Sequence, residues 1–249
     1  MTSSSPWFVD AFRADYVRLY AHRDLAAARR EVDYLVGLDL PGPVLDLCCG
    51  YGRHTLALRL RGVRAFGIDL SHDLLAHAAS LPEHGRLAGR LVRADARVLP
   101  LRDESVGSVV VLFSSFGYFG ADGDRRMAGE VARVLRPGGR VVLDVMNPPR
   151  VRATLVAHSR SEREGAVLEE RRSLEDGGRA VVKHVTMRTA DGAREWHERV
   201  RLYEPAEIAA LLSDVGLRVD GAGGDFDGRV WSPAAPRQIV LATKHAPGV

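Results

Sequence analysis

The sequence predicts an α/β fold: a three-layer sandwich on a mostly parallel seven-stranded sheet, with an N-terminal helical lid and an inserted antiparallel β cap. Three observations predict it. The apolar run Val44-Leu45-Asp46-Leu47 breaks into the turn Cys48-Cys49-Gly50-Tyr51-Gly52, which opens a helix-like stretch from Arg53 and His54 through Leu60. Short apolar runs then alternate with helix-like stretches as far as Met146, the pattern of buried parallel strands joined by crossover helices. Beyond them, three β-like segments are separated by Asp176-Gly177-Gly178 and Asp191-Gly192, both good hairpin turns. The expected segments are a lid over 1–40, a cofactor-binding core over 41–150, the cap over 151–203 and a return to the core over 204–249.

From the N-terminus, Phe8, Phe12, Tyr16 and Tyr20 recur every four residues and fall on one helix face. Such a stripe packs onto a core or closes over a cationic ligand, since an aromatic face attracts a cation within about 6 Å. A second helix is expected over Leu25 to Gly37, with Arg29, Arg30 and Glu31 on a solvated face. The first strand ends in the Gly50 and Gly52 turn, where the backbone bends sharply and the unpaired N–H groups of a helix start face a ligand. The next strand, Val63 to Ile68, delivers Asp69, 23 residues after Asp46, where a strand-helix-strand unit sets an acid against a ribose diol. A third short strand precedes Asp95, and a fourth runs from Val106 to Phe113. A helix from Asp122 to Val134 follows, then the turn Leu135-Arg136-Pro137-Gly138-Gly139 and a fifth strand, Arg140 to Met146.

The cap strands are expected at Glu164 to Leu174, Arg179 to Thr189 and Arg194 to Tyr203. Val181, Lys183, Val185 and Met187 alternate with Val182, His184, Thr186 and Arg188, giving the sheet two unlike faces. Pro205 starts a helix that runs to about Val215 and ends at Gly216; Leu217 to Val219 and Gln238 to Thr243 are the last two strands. The loop Gly223 to Gly228 lies between them and is expected to be flexible.

The spelling of the turn separates two ligands. A dinucleotide fingerprint needs G-x-G-x-x-G, and Thr55 stands in the third glycine's place. Read as acid-x-G-x-G-x-G, with Asp46, Cys48, Gly50 and Gly52, the run resembles motif I of the class I S-adenosylmethionine-dependent methyltransferases, with Cys48 where their first glycine usually stands. The resemblance continues through Asp95 and Ala96, the edge Ser114-Ser115-Phe116-Gly117-Tyr118-Phe119 and the Leu-x-Pro-Gly-Gly turn, covering roughly residues 16 to 147. It implies a Rossmann-like core that binds S-adenosyl-L-methionine and releases S-adenosyl-L-homocysteine. Of the site residues, it implies that Gly50, Gly52 and Cys48 shape the methionine pocket and Arg53 pairs with the carboxylate. Asp46 anchors the loop or meets the ammonium group. Asp69 accepts from the ribose hydroxyls, Leu70 and Ala96 lie against adenine, and Asp95 takes its amino group. Tyr16 is the lid residue, and Phe113 ends the fourth strand at the cofactor.

The same resemblance makes the insert a roof for a small-molecule acceptor. Tyr118, His184 and His197 are the catalytic candidates, the imidazoles as bases, and Tyr118, Arg201 and Tyr203 the substrate-binding candidates. Asn147-Pro148-Pro149-Arg150 looks like the amine-holding motif of nucleic-acid methyltransferases. It follows the fifth strand rather than the fourth and has arginine in place of the aromatic residue, so a proline-led helix start is the better reading.

Composition limits the alternatives. A formal charge of +3 spread over 35 basic and 32 acidic residues marks a compositional bias toward arginine rather than a nucleic-acid patch, since Lys183 and Lys244 are the only lysines. Cys48 and Cys49, being adjacent, build neither a disulfide framework nor a zinc site, so no metal is expected. The start Met1 to Pro6 has no secretory character and no apolar run spans a bilayer, so a cytoplasmic monomer or homodimer acting away from membranes is expected. The principal reading is methyl transfer to N, O or C of a small molecule by in-line displacement. Its rivals are an RNA or protein methyltransferase, a cofactor-binding protein without catalysis and, last, an NAD-dependent oxidoreductase.

Overall fold

The structure is a computed structural model and describes residues 6–20, 23–163 and 165–245. The lid comprises α1 (Trp7–Ala11), α2 (Asp15–Leu19) and α3 (Leu25–Gly37). The core follows as β1 (Val44–Leu47), α4 (Arg53–Leu60), β2 (Ala65–Asp69), α5 (His72–His77), β3 (Leu91–Arg93), β4 (Val106–Val111), α6 (Gly120–Val134) and β5 (Leu135–Met146). After α7 (Pro148–Thr154) come the cap strands β6 (His158–Arg163), β7 (Ala166–Glu175), β8 (Ala180–Thr189) and β9 (Gly192–Arg201), then α8 (Pro205–Asp214), β10 (Leu217–Gly223) and β11 (Arg237–Lys244).

The central sheet has the order β10-β11-β5-β4-β1-β2-β3, and only β11 runs against its neighbours. Its strands are apolar on both faces because both faces are covered. Leu45 and Leu47 of β1, Val109 and Val111 of β4 and Leu143 of β5 pack with α6 and α8, while Val44, Val110 and Val142 pack with α3 and α4. Local signals end the helices where expected. Asp24 caps α3 by accepting from the Ala27 N–H at 2.7 Å, and Glu204 and Glu207 form a capping box around Pro205. Pro148 and Pro149 open α7, as a helix start requires.

Two expectations about the outer layers change. The aromatic stripe does not ride one helix: α1 ends at Phe12 (φ −102°, ψ 60°) and α2 starts afresh at Asp15. The break lets the rings diverge. Trp7, Phe12 and Tyr20 pack with Leu168, Val185 and Trp196 of the cap, whereas Phe8 meets Phe119 edge-on at 5.0 Å. Arg194 of β9 clasps the broken lid through Asp15 at 2.9 Å and the Asp10 carbonyl.

The cap has four strands rather than three, in the order β6-β7-β8-β9. His158–Arg163 is wholly polar and sits at the sheet edge, pairing only with β7, so it carries no apolar alternation to betray it. The expected strand start at Glu164 and the stretch Met1 to Ser5 lie outside the described residues. Among the described residues, no helix is long and apolar enough to cross a membrane.

Candidate functional site

Chain order along the sheet reverses at β1, whose neighbours are β4 and β2, and a crevice opens there at the carboxyl ends of the strands. The turn after β1 forms its floor, with Cys48 (φ 61°), Gly50 (φ 58°) and Gly52 (φ 80°) in left-handed backbone. Glycine meets that demand freely, and Cys48 meets it as a non-glycine residue. Gly52 then caps α4.

Asp69 closes the turn from β2. One carboxylate oxygen accepts the Gly50 N–H at 2.7 Å and the other the Ser71 N–H at 2.8 Å. Burial pushes its carboxyl up, opposed by those two donors. Ser71 caps α5 and donates to the Phe12 carbonyl at 2.6 Å, so the lid is tied to the same turn. Behind the turn, Asp46 is fully buried and accepts from the Thr55 hydroxyl at 2.7 Å. Both thiols are pushed well above their usual range, first by burial and then by neighbouring carboxylates, and stay protonated.

The crevice is a cavity of about 460 Å³, and Tyr16, Asp46, Cys48, Gly50, Asp69 and Asp95 all line it. Arg53, Leu70, Ala96, Phe113 and Tyr118 line it as well, whereas Gly52 caps α4 without lining it and faces Leu87 and Leu91. Two of these residues already have strong partners. Asp95 is held by Arg97 at 2.6 and 3.0 Å, which keeps its carboxyl below the usual range. Arg53 pairs with Glu31 at 3.0 Å and lies over the Phe113 ring at 4.3 Å. Glu31 therefore belongs to the site and not to a solvated face, unlike the exposed Arg29 and Arg30. Its position beside Ala28 and Val32, on the buried side of α3, was the available signal.

A second cavity of about 650 Å³ lies under the cap. Phe12, Tyr16, Phe113 and Tyr118 line both cavities and form an aromatic neck between them. Tyr118 stacks on Phe12 at 5.6 Å, and burial pushes its phenol well above the usual range, so the hydroxyl stays protonated. Lys183, Glu170, Glu198 and Arg172 form the polar part of the roof, opposite apolar residues such as Met146, Val151 and Leu155.

The remaining acceptor-side candidates are corrected by geometry. His184 and His197 are cross-strand partners with rings 6.2 Å apart, both exposed on the outer face of the cap. Strand alternation sends Val181 and Lys183 inward and His184 outward, so neither imidazole lines either of these two cavities. Tyr203 is buried against Phe116 and donates to Asp124 at 2.9 Å, and Arg201 covers its ring at 4.6 Å; both support the edge after β4 from behind. Among the described residues, no group of three or more His, Cys, Asp or Glu is placed to hold a metal.

His54 and Arg237 were not expected. Arg237 crosses to the fully buried Asp144 with two contacts at 2.5 Å, and Asp144 also accepts the Phe113 N–H at 2.7 Å, which sets the neck. His54 is buried, bonded to Glu31 at 2.6 Å and stacked on Phe113. Burial and then Arg53 lower its pKa to about 4, while burial raises that of Asp46 to about 6.

Opposite pH slopes follow from these two shifts. Between pH 4 and 6.5 the unfolded state binds a proton at His54 that the folded state refuses, so this group makes stability rise with pH. Between pH 3.8 and 6 the folded state holds a proton on Asp46 that the unfolded state has lost, so that group makes stability fall with pH. Urea titrations should show the wild-type minus His54→Gln stability difference rising over its window. The wild-type minus Asp46→Asn difference should fall, each by at most about 1.4 kcal/mol per pH unit. Parallel slopes would contradict the burial of both groups.

Comparison with known proteins bears on this geometry. Residues 44–139 match a family described as a methyltransferase domain. The demethylmenaquinone methyltransferase of Thermus thermophilus is 37% identical over 130 residues, covering 51% of this chain and 57% of that enzyme. The chain spans about half the length of the first curated relatives it matches. A dTDP-3-amino-3,4,6-trideoxy-alpha-D-glucopyranose N,N-dimethyltransferase of Streptomyces venezuelae is 29% identical over 220 residues, covering 83% of this chain and 89% of that one. The CcbJ methyltransferase of Streptomyces caelestis shares the fold with a TM-score of 0.73 at 23% identity, over 88% of this chain and 90% of its own.

Proposed function

We propose that this chain, a member of the class I S-adenosylmethionine-dependent methyltransferases, moves a methyl group to N, O or C of a small-molecule acceptor held beneath the cap. The observation that carries the reading is that two neighbouring cavities share four aromatic rings as lining. One cavity suits the cofactor, the other the acceptor, and the neck is where they meet.

The residues of the first cavity fit S-adenosylmethionine. Its volume lies in the range of small-ligand sites, roughly 300–1,000 Å³. An ionised carboxylate offers about four acceptor positions. Asp69 spends one per oxygen on backbone, which leaves one per oxygen for a vicinal diol. Leu70 and Ala96 offer an apolar slot for adenine, with Asp95 at its edge. The rings of Phe12, Tyr16, Phe113 and Tyr118 suit a sulfonium, as cation–π attraction would require. Thr55, fully buried and bonded to Asp46, fills the place where a dinucleotide site needs its third glycine.

When bound, the cofactor supplies an activated methyl group and a neutral thioether leaving group. The chain contributes position and dryness. Asp69 and the Gly50 turn fix one end of the ligand; the aromatic neck excludes water and aligns the two cavities. The cap and α7 confine the acceptor. The reading carries with it a cytoplasmic monomer or homodimer, with neither nucleic acid nor membrane as partner.

Calorimetry tests the cofactor half. S-adenosylhomocysteine and S-adenosylmethionine are expected to bind at micromolar concentrations and NADH not at all. Preference for NADH would overturn the reading, and release of S-adenosylhomocysteine across a panel of small acceptors would establish turnover.

A further inference from the structure

Charge along the acceptor cavity is unbalanced. Among the described residues, four cationic side chains line it: Arg23, Arg172, Lys183 and Arg237. Three have a carboxylate. Arg172 pairs with Glu170 at 2.6 Å, Lys183 with Glu198 at 2.8 Å, and Arg237 with Asp144 at 2.5 Å. Arg23 has a hydroxyl and two rings instead: it donates to the Tyr16 hydroxyl at 2.8 Å and lies 4.5 Å from the Tyr20 ring centre and 5.2 Å from that of Phe113.

Arg23 is also held in advance. The Tyr51 hydroxyl donates to its main-chain carbonyl, and Tyr16 holds its head, so both ends are fixed. A desolvated cation without a counter-charge is costly, and aromatic faces offset only part of that cost. A guanidinium fixed in this way is suited to a planar or tetrahedral oxyanion.

We propose that the acceptor carries a carboxylate or phosphate group that Arg23 binds. Because Tyr16 and Phe113 belong to the neck, the anionic group lies close to the methyl-accepting atom. The acceptor is therefore a compact acid whose nucleophile is separated from its anionic group by only a few bonds. The roof pairs Lys183–Glu198 and Arg172–Glu170, already neutral as pairs, are left to bind its polar substituents.

This inference rests on the methyltransferase reading, and one titration separates the two. Full-length protein saturated with S-adenosylhomocysteine is titrated with phenylacetate, phenyl phosphate and neutral phenylacetamide, as wild type, Arg23→Met and Arg23→Lys. Failure of S-adenosylhomocysteine to bind the wild type would remove the methyltransferase reading itself. With that ligand bound, at least one anion is expected to bind ten times or more tightly than phenylacetamide. Arg23→Met should lose that preference and Arg23→Lys keep part of it, with S-adenosylhomocysteine affinity changed less than threefold in both. Equal binding of phenylacetate, phenyl phosphate and phenylacetamide to the saturated wild type would overturn the inference, and that comparison needs no variant to fold. So would a tenfold loss of S-adenosylhomocysteine affinity in Arg23→Met, which would assign the guanidinium to the cofactor's own carboxylate.

Discussion

Asp69→Ala is expected to weaken S-adenosylhomocysteine binding at least about a hundredfold, roughly 3 kcal/mol, in calorimetry. The carboxylate stands at the end of β2 with both oxygens facing the turn and the cavity, and its removal costs twice. Two charge-assisted hydrogen bonds to a diol are lost, each worth about 1.5–3 kcal/mol before compensation by water. The Gly50 and Ser71 N–H groups also lose their acceptor, which loosens the turn that shapes the rest of the pocket. Asp69→Asn separates these effects. Its amide keeps one oxygen but presents NH₂ either to a backbone N–H or to the diol, so about a tenfold loss is expected. A thermal melt of each variant measures the structural share. If Asp69→Ala melted much lower yet bound S-adenosylhomocysteine within threefold of wild type, the residue would be a cap for the turn and nothing more.

The strand, glycine turn, helix and acid around Asp69 were legible in the sequence because each rests on local chemistry. Apolar runs covered on both faces and glycines where backbone turns left-handed need no knowledge of tertiary structure. The histidines are a different case. Alternation along β8 already grouped His184 with Thr186 and Arg188, opposite Val181, Val185 and Met187, and the apolar set is the one that faces inward. Imidazole chemistry alone points to these two residues, but the face on which they stand turns them to solvent. Lys183 carried the opposite lesson: in a chain that uses arginine almost everywhere, one of two lysines on the apolar face marks a place where a compact ammonium fits.

Other parts of the site were hidden for a different reason. Glu31, His54, Asp144 and Arg237 come from α3, α4, β5 and β11, and only the folded sheet brings them around Phe113. No spacing along the chain encodes that convergence. The lid break at Phe12 is equally nonlocal, since its rings split between Phe119 and the cap.

Gly67 answers a question raised by the turn's spelling. In a dinucleotide fold the third glycine of the turn lets helix and strand approach closely. Here the helix carries Thr55 at that place, and the room comes from the strand: Gly67 pairs with Asp46 in the β1–β2 register. A Cβ at Gly67 would sit 2.6 Å from the Cys49 sulfur, 2.8 Å from the Thr55 hydroxyl and 2.9 Å from the Cys49 Cβ. Neither neighbour can swing away easily. Thr55 is bonded to Asp46, and the Cys49 N–H donates to the Ile68 carbonyl at 3.1 Å.

Gly67→Ala should therefore cost about 1–3 kcal/mol in urea denaturation, the usual range for overpacking. It should also weaken S-adenosylhomocysteine at least about tenfold, about 1.4 kcal/mol, because the displaced turn is the floor of the cavity proposed for it. Cys49→Ala combined with Gly67→Ala should recover part of both losses, since it removes the sulfur and leaves the Asp46–Thr55 bond intact; a double-mutant cycle reads that coupling. Gly129→Ala is the matched control, for its added Cβ meets nothing within 4 Å on α6 and should stabilise by about 0.5–1 kcal/mol through helix propensity. A Gly67→Ala protein as stable and as tight-binding as wild type would mean that helix and strand have slack at this crossing, and that Thr55 needed no compensating glycine.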